Sequence, residues 1–214
     1  MKKRLIELLN DDSLVFSSGV LPETAANQLM RYLIEWKRWN AKINLTANTD
    51  ERSVVNKHIH ESLQYTRAIS SLGNLADIGS GAGFPGIPVK VLLPDLDIVL
   101  IESQRKRVSF LKTVIRSMGL EKIKCVHGVV ADFPDFLGSY DFVVLRHVLQ
   151  PSLSLSLGAG LLNARGRLIL QTGLDVSLHL DFTNSLCLSL TKEIFVERSS
   201  GSPSKLMVFE RNSG

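Results

Sequence analysis

The sequence predicts an α/β fold: a mostly parallel sheet covered by helices on both faces, preceded by a helical cap and closed by an antiparallel hairpin. Three observations carry this. From about residue 72, short apolar runs alternate with helical stretches, the texture of a parallel sheet buried on both faces. The first of these runs leads into a glycine-rich loop that opens a helix. Before residue 70 the apolar spacing is helical, and from Leu186 onward it returns to strand-like runs.

Within the cap, Pro22 suits a first helical position and Glu23 the positive end of the helix dipole. Leu29, Leu33, Trp36 and Asn40 then recur at helical spacing, with Met30, Ile34 and Trp39 widening the stripe. The two tryptophans read as core and staple residues rather than a stacking platform. Asn48 reads as the N-cap of a further helix, with Glu51 as its N3 partner, and Val55, Ile59, Ser62 and Thr66 form its inner face. No Ser/Gly-rich linker follows, so the expected division is a cap over 1–70 packed on a domain over 71–214. In that domain, strands are predicted at Leu75–Ile78, Ile98–Ile101, Ile123–Val126, Phe142–Leu145 and Leu168–Leu170, with a helix over Ser103–Met118. Ser152–Leu157 alternates like a strand, but Pro151 before it and Gly158 after it fit a helix, which is the prediction. Leu186–Val196 and Lys205–Glu210, separated by Ser199–Pro203, form the terminal hairpin.

Composition narrows the function classes. With 214 residues, 44% of them hydrophobic, the chain holds enough apolar material for a sizeable core. Cys125 and Cys187 are too few for a disulfide scaffold or a cysteine zinc cluster, so reduced thiols and no metal are expected. The basic start at Met1–Arg4 is cut short by Glu7 and Asn10–Asp12 before any secretory apolar run. The longest uncharged stretch, 147–164, carries Pro151, three serines and two glycines, a poor membrane span. A cytoplasmic monomer with no membrane contact is therefore expected. The net charge of +4 is small, yet residues 102–124 hold seven Lys/Arg against two Glu, a local +5 that leaves the remainder at −1. An anionic partner is expected on that segment.

The most informative segment is Asp77-Ile78-Gly79-Ser80-Gly81-Ala82-Gly83-Phe84-Pro85-Gly86-Ile87-Pro88. Glycines there let the backbone turn sharply and approach a ligand closely. Two readings compete. Gly81-x-Gly83-x-x-Gly86 fits a dinucleotide loop holding a pyrophosphate on a helix N-terminus, which would make the protein an NAD-linked oxidoreductase. Asp77-x-Gly79-x-Gly81 fits the loop of S-adenosylmethionine methyltransferases, and a carboxylate at Asp77 suits a cofactor carrying an ammonium and a sulfonium. Glu102 ends the next strand, 23 residues after Gly79, where a carboxylate can accept from both ribose hydroxyls; its other reading is an ion partner for Arg105 or Lys106. Arg146 follows a later strand on the same sheet edge. It is a candidate to hold the cofactor, a phosphate or the O6 edge of guanine, or else to pair with Asp141 or another carboxylate. His58 faces either the pocket mouth or the core. Neither cysteine is placed as a nucleophile for cytosine C5, and Leu145-Arg146-His147-Val148 is not the motif used on exocyclic amines.

Beyond these patterns, the chain from Trp36 to Gly173 resembles the glucose-inhibited division protein B family, bacterial methyltransferases that act on a guanine N7 of small-subunit (16S) ribosomal RNA. The resemblance rests on Trp39-Asn40-Ala41-Lys42-Ile43-Asn44-Leu45-Thr46, His58-Ile59-His60-Glu61-Ser62, the whole Asp77–Pro88 loop, Glu102–Arg107 with Phe110-Leu111, and Arg146 after Asp141–Leu145. It implies a Rossmann-like class I methyltransferase fold with a seven-stranded sheet, S-adenosylmethionine as cofactor, and ribosomal RNA or the small ribosomal subunit as partner. It implies cofactor contacts at Asp77, Gly79, Gly81, Gly83, Phe84, Glu102, Val130, Ala131, Asp132 and Arg146, catalytic roles for Arg146 and His58, and RNA contacts at Arg105, Lys106, Arg107 and Lys42. Three departures stand out: Val129-Val130-Ala131 replaces the family's Arg-x-Glu, Thr172 precedes Gly173 where Lys is usual, and Glu61 replaces Asp. Asp132 is a candidate substitute for the missing acid. A non-catalytic ribosome-assembly factor on the same fold is the further alternative.

Overall fold

A computed structural model describes residues 1–197 and 202–212. Seven strands form one sheet: β1 (Asn74–Ile78), β2 (Asp97–Glu102), β3 (Ile123–His127), β4 (Tyr140–Arg146), β5 (Leu162–Gly173), β6 (Leu188–Val196) and β7 (Ser204–Arg211), in the order β3-β2-β1-β4-β5-β7-β6. The first five are parallel, while β7 runs antiparallel to both β5 and β6. The chain order reverses across β1, between β2 and β4. The crevice at the C-terminal ends of those strands is where open α/β sheets bind ligands.

Alternation along the strands divides the core in two. Leu75, Ile98, Leu100, Phe142, Val144 and Ile169 point to one face, and Ala76, Ile78, Val99, Val143, Leu145 and Leu168 to the other. The first face is covered by α5 (Gly86–Leu92), α6 (Arg105–Met118) and the cap helices α1 (Lys2–Leu9) and α2 (Pro22–Ile43). The second packs against α7 (Pro151–Ala159) and against Phe182 of α8 (Leu180–Ser185), with Leu178 and Leu186 flanking that helix. Trp36 is fully buried, and Trp39 packs edge-on against Phe110 of α6.

Several predicted details shift. Asp50, not Asn48, caps the helix that begins at Glu51, its Oδ1 accepting from the Ser53 amide at 2.8 Å. That helix runs α3 (Glu51–Ser53), then a π-helical stretch over Val54–Ile59, then α4 (His60–Gln64). β5 begins at Leu162, well before the predicted Leu168, because the exposed Ala164 and Arg165 hide the strand from a search for apolar runs. The stretch over Ser152–Leu157 is helical, as Pro151 suggested. In the predicted turn at Ser199–Pro203, residues 199–201 lie outside the described part.

Candidate active site

A cavity of about 230 Å³ opens at the C-terminal edge of β1 and β4. The glycine loop forms its floor through Gly79, Gly81 and Phe84, while His58, Arg107 and Arg146 form its walls. Sequence reasoning named all six. Gly83 lies behind the loop: a Cβ there would stand 2.6 Å from Ile87 Cγ1 and 3.1 Å from Leu111 Cδ2.

The loop is held through its own backbone. The amides of Gly79 and Ser80 both donate to the Ile101 carbonyl, at 2.9 and 3.2 Å. Those of Gly83 and Phe84 donate to Ser80, and that of Ile87 to Gly83. The Gly86 amide donates to Asp77 Oδ2 at 3.0 Å, and the Gly81 amide to Glu102 Oε2 at 2.8 Å. Seven amides are thereby occupied, so the loop offers no cluster of N–H groups to a pyrophosphate. The cap adds a clamp: Tyr32 on α2 donates its hydroxyl to the Ala82 carbonyl at 2.7 Å and meets the Phe84 ring edge-on at 5.4 Å.

Asp77 does not stand beside the ligand space. It is buried beneath the loop, bonded to Gly86, and burial pushes its carboxyl up to about 7. Its service is to the start of α5, which corrects the reading in which its charge faces a bound cation. Glu102 is also buried, and its oxygens accept from the Gly81 and Gln104 amides, not from Arg105 or Lys106. Each carboxylate oxygen can accept a second hydrogen bond. At Gly81 (φ +56°) a Cβ would meet only the Gly79 carbonyl, 3.8 Å away, so this backbone is open to a close-lying ligand.

Opposite the loop lies a side-chain network. Arg146 Nη2 donates to Glu61 Oε2 and, at 2.7 Å, to His58 Nδ1, while Nε donates to Gln171 Oε1 at 2.9 Å. The guanidinium carbon sits 5.8 Å from the centre of the Phe84 ring, and the His58 ring stacks on Phe84 at 5.2 Å. Arg146 thus pairs with Glu61 and not with Asp141, which accepts from the Asn74 amide and from Asn163. A guanidinium only donates, so His58 Nδ1 is the acceptor and Nε2 carries the proton toward Asn48 Oδ1, 2.8 Å away. Burial and the neighbouring Arg146 hold His58 down at about 3. The imidazole is neutral and its lone pair is engaged, so it is no general base. Sequence reasoning missed Asn48 and Gln171, and saw Glu61 only as a departure from a pattern.

Val148 closes over the loop so tightly that a Cβ on Gly79 would stand 2.7 Å from its Cγ2. The Val130–Asp132 turn lies outside the cavity, beyond β3. Val130 is buried and Ala131 exposed. Asp132 is exposed, and its Oδ2 accepts from the Val129 amide at 2.8 Å, capping its own turn. Arg105 and Lys106 are exposed at the start of α6, whereas Lys42 lies at the far end of α2, away from the cavity.

Comparison with known proteins places this geometry. Curated relatives called ribosomal RNA small subunit methyltransferase G include one from Desulfitobacterium hafniense, 36% identical over 157 residues, covering 71% of this chain and 65% of its own length. Another, from Streptococcus pyogenes, is 39% identical over 164 residues, covering 73% and 69%. The chain therefore spans about two thirds of the length of these relatives. Among solved structures, the B. subtilis tRNA methyltransferase TrmK has a TM-score of 0.58 at 19% identity, covering 74% of this chain and 67% of its own. M. jannaschii TYW2 in complex with AdoMet has a TM-score of 0.57 at 13% identity, covering 72% and 74%. At such identities the likeness is one of fold: an α/β, Rossmann-like class I methyltransferase sheet. The family model described as rRNA small subunit methyltransferase G matches residues 25–202, and the chain belongs to that family.

Proposed function

We propose that this chain transfers a methyl group from S-adenosylmethionine to N7 of a guanine in small-subunit ribosomal RNA, acting as a cytoplasmic monomer. The observation that carries the reading is the pairing of family membership with a loop that has seven of its amides engaged internally beside the buried carboxylate of Glu102. That arrangement suits an adenosine with a sulfonium and disfavours a dinucleotide. The antiparallel β6–β7 hairpin also departs from the all-parallel sheet expected of an NAD-linked enzyme.

When bound, S-adenosylmethionine supplies an electrophilic methyl group. Glu102 accepts from the ribose hydroxyls with its remaining lone pairs, and the open backbone at Gly81 lets the cofactor approach closely. Guanine N7 carries an in-plane lone pair and loses no proton on methylation, so the reaction asks for alignment rather than a base. The network matches that demand, since Arg146 engages the lone pair of His58 Nδ1. Arg146, fixed by Glu61, His58 and Gln171, is positioned to hold the O6 edge or a phosphate. The target base leaves its stack to reach this depth. Among the described residues no helix is long and apolar enough to cross a membrane.

Calorimetric titration with S-adenosylhomocysteine and with NAD tests the cofactor: heat with the first and none with the second is expected, and the reverse overturns the reading. Mass spectrometry of small-subunit RNA incubated with protein and donor should find one 7-methylguanosine; methyl incorporation at another atom would refute the proposed acceptor.

A further inference from the structure

A second cavity, of about 240 Å³, lies between the cap and the main domain. Its lining is Arg38, Trp39 and Lys42 from α2, and Thr113 and Arg116 from α6. Three of the five are cations and none is an acid. Arg38 Nη1 has Glu35 at 3.9 Å as an ion partner. Lys42 and Arg116 have no ion-pair partner among the described residues. Like charges gathered this way repel one another, and the arrangement becomes favourable when an anion enters between them.

The cleft is also the end of a track. Arg105, Lys112 and Arg116 are all exposed and recur at i, i+7 and i+11, one face of α6. At 1.5 Å per residue this stripe is about 16 Å long. It starts three residues after Glu102, beside the proposed cofactor, and ends at the cleft. We propose that the cleft is a second phosphate-binding site, which grips the backbone of the RNA whose guanine lies in the active-site cavity, with the Trp39 indole as its apolar wall. The cap helix is then one jaw of the substrate grip. This rests on the RNA-methyltransferase reading above.

The test is binding of a labelled small-subunit RNA transcript, by fluorescence anisotropy, from about 50 to 200 mM salt. Reversal of both unpaired cations, Lys42→Glu with Arg116→Glu, should weaken binding and lower the slope of log affinity against log salt by about 1.5, near 0.7–0.9 for each lost contact. The neutral pair Lys42→Gln with Arg116→Gln should lower the slope in the same way with a smaller loss of affinity. Arg165→Glu, near the start of β5 and outside the cleft, should change little. Unaltered S-adenosylhomocysteine titration verifies the fold of each variant. Wild-type affinity and slope in both cleft variants would overturn the cleft, whether or not methylation persists. A salt-sensitive cleft in a protein that never incorporates methyl would instead overturn the proposed function and leave the cleft standing.

Discussion

Two segments deliver residues to the same cavity and are held by opposite means. The glycine loop, 77–87, is fixed by its own backbone: seven amides donate within the protein, five of them to carbonyls and two to buried carboxylates. The segment 48–61 is fixed by side chains, through Asn48, His58 and Glu61, and its partner Arg146 lies 85 residues beyond Glu61. A backbone-held element depends on where a Cβ is tolerated, whereas a side-chain-held one depends on every partner in the network. Damage to the second should therefore cost more and spread further.

The largest effect is expected there. Glu61→Ala leaves a buried guanidinium without its counter-ion, a loss of about 3–5 kcal/mol, readable in urea unfolding. Glu61→Ala combined with Arg146→Met should be more stable than Glu61→Ala alone, because the uncompensated charge is gone. If the single variant loses less than about 1 kcal/mol, the network does not hold this wall. By the same logic Arg146→Ala is not a pure activity probe, since it leaves the Glu61 carboxylate buried.

The loop should respond next. Gly83 has φ +87° and no room for a Cβ, so Gly83→Ala combines about 1–2 kcal/mol of left-handed strain with about 1–3 kcal/mol of overpacking. The expected sum, roughly 2–5 kcal/mol, is checked by the same unfolding measurement. Glu102→Gln keeps the shape but weakens acceptance from the ribose and from the Gly81 amide. S-adenosylhomocysteine affinity should fall about tenfold to a hundredfold, from one charge-assisted hydrogen bond of about 1.5–3 kcal/mol. An unchanged dissociation constant would remove Glu102 from the cofactor.

This contrast also explains what was legible in the sequence. Glycine and proline report backbone geometry locally, so the loop, its strand and its helix were readable, as was α2 from Pro22 and its apolar stripe. Glu61 carries no local signal for its partner, because the contact to Arg146 exists only once α4 packs against the end of β4. The π-helical stretch at 54–59 sets where His58 points, and no residue in Val54-Val55-Asn56-Lys57-His58-Ile59 announces it. Asp77 was legible as part of the loop pattern, but its carboxyl turns beneath the loop to the Gly86 amide. Spacing gave its neighbours but not the side to which it turns, and that side was decided by the Gly86 amide.

The smallest effect is an absence of slope, and it comes from one buried acid and one buried base on the two sides of the comparison. Burial holds His58 at about 3, against 6.5 when unfolded. Between those values only the unfolded state takes up the proton, so this group's stability is complete above 6.5 and is lost as pH falls toward 3. Burial raises Asp77 from 3.8 to about 7. Between those values only the folded state keeps the proton, so this group's stability is lost as pH rises from 3.8 to 7. From about pH 4 to 6.5 each contributes one proton of opposite sign, and the two cancel. Relative to wild type, Asp77→Asn should become more stable with rising pH across this window, by up to about 1.4 kcal/mol per pH unit. His58→Gln should become less stable by a similar slope. Parallel curves for all three proteins would mean that neither group changes its proton affinity on folding, and that the neutral imidazole inferred from the Arg146 contact is wrong.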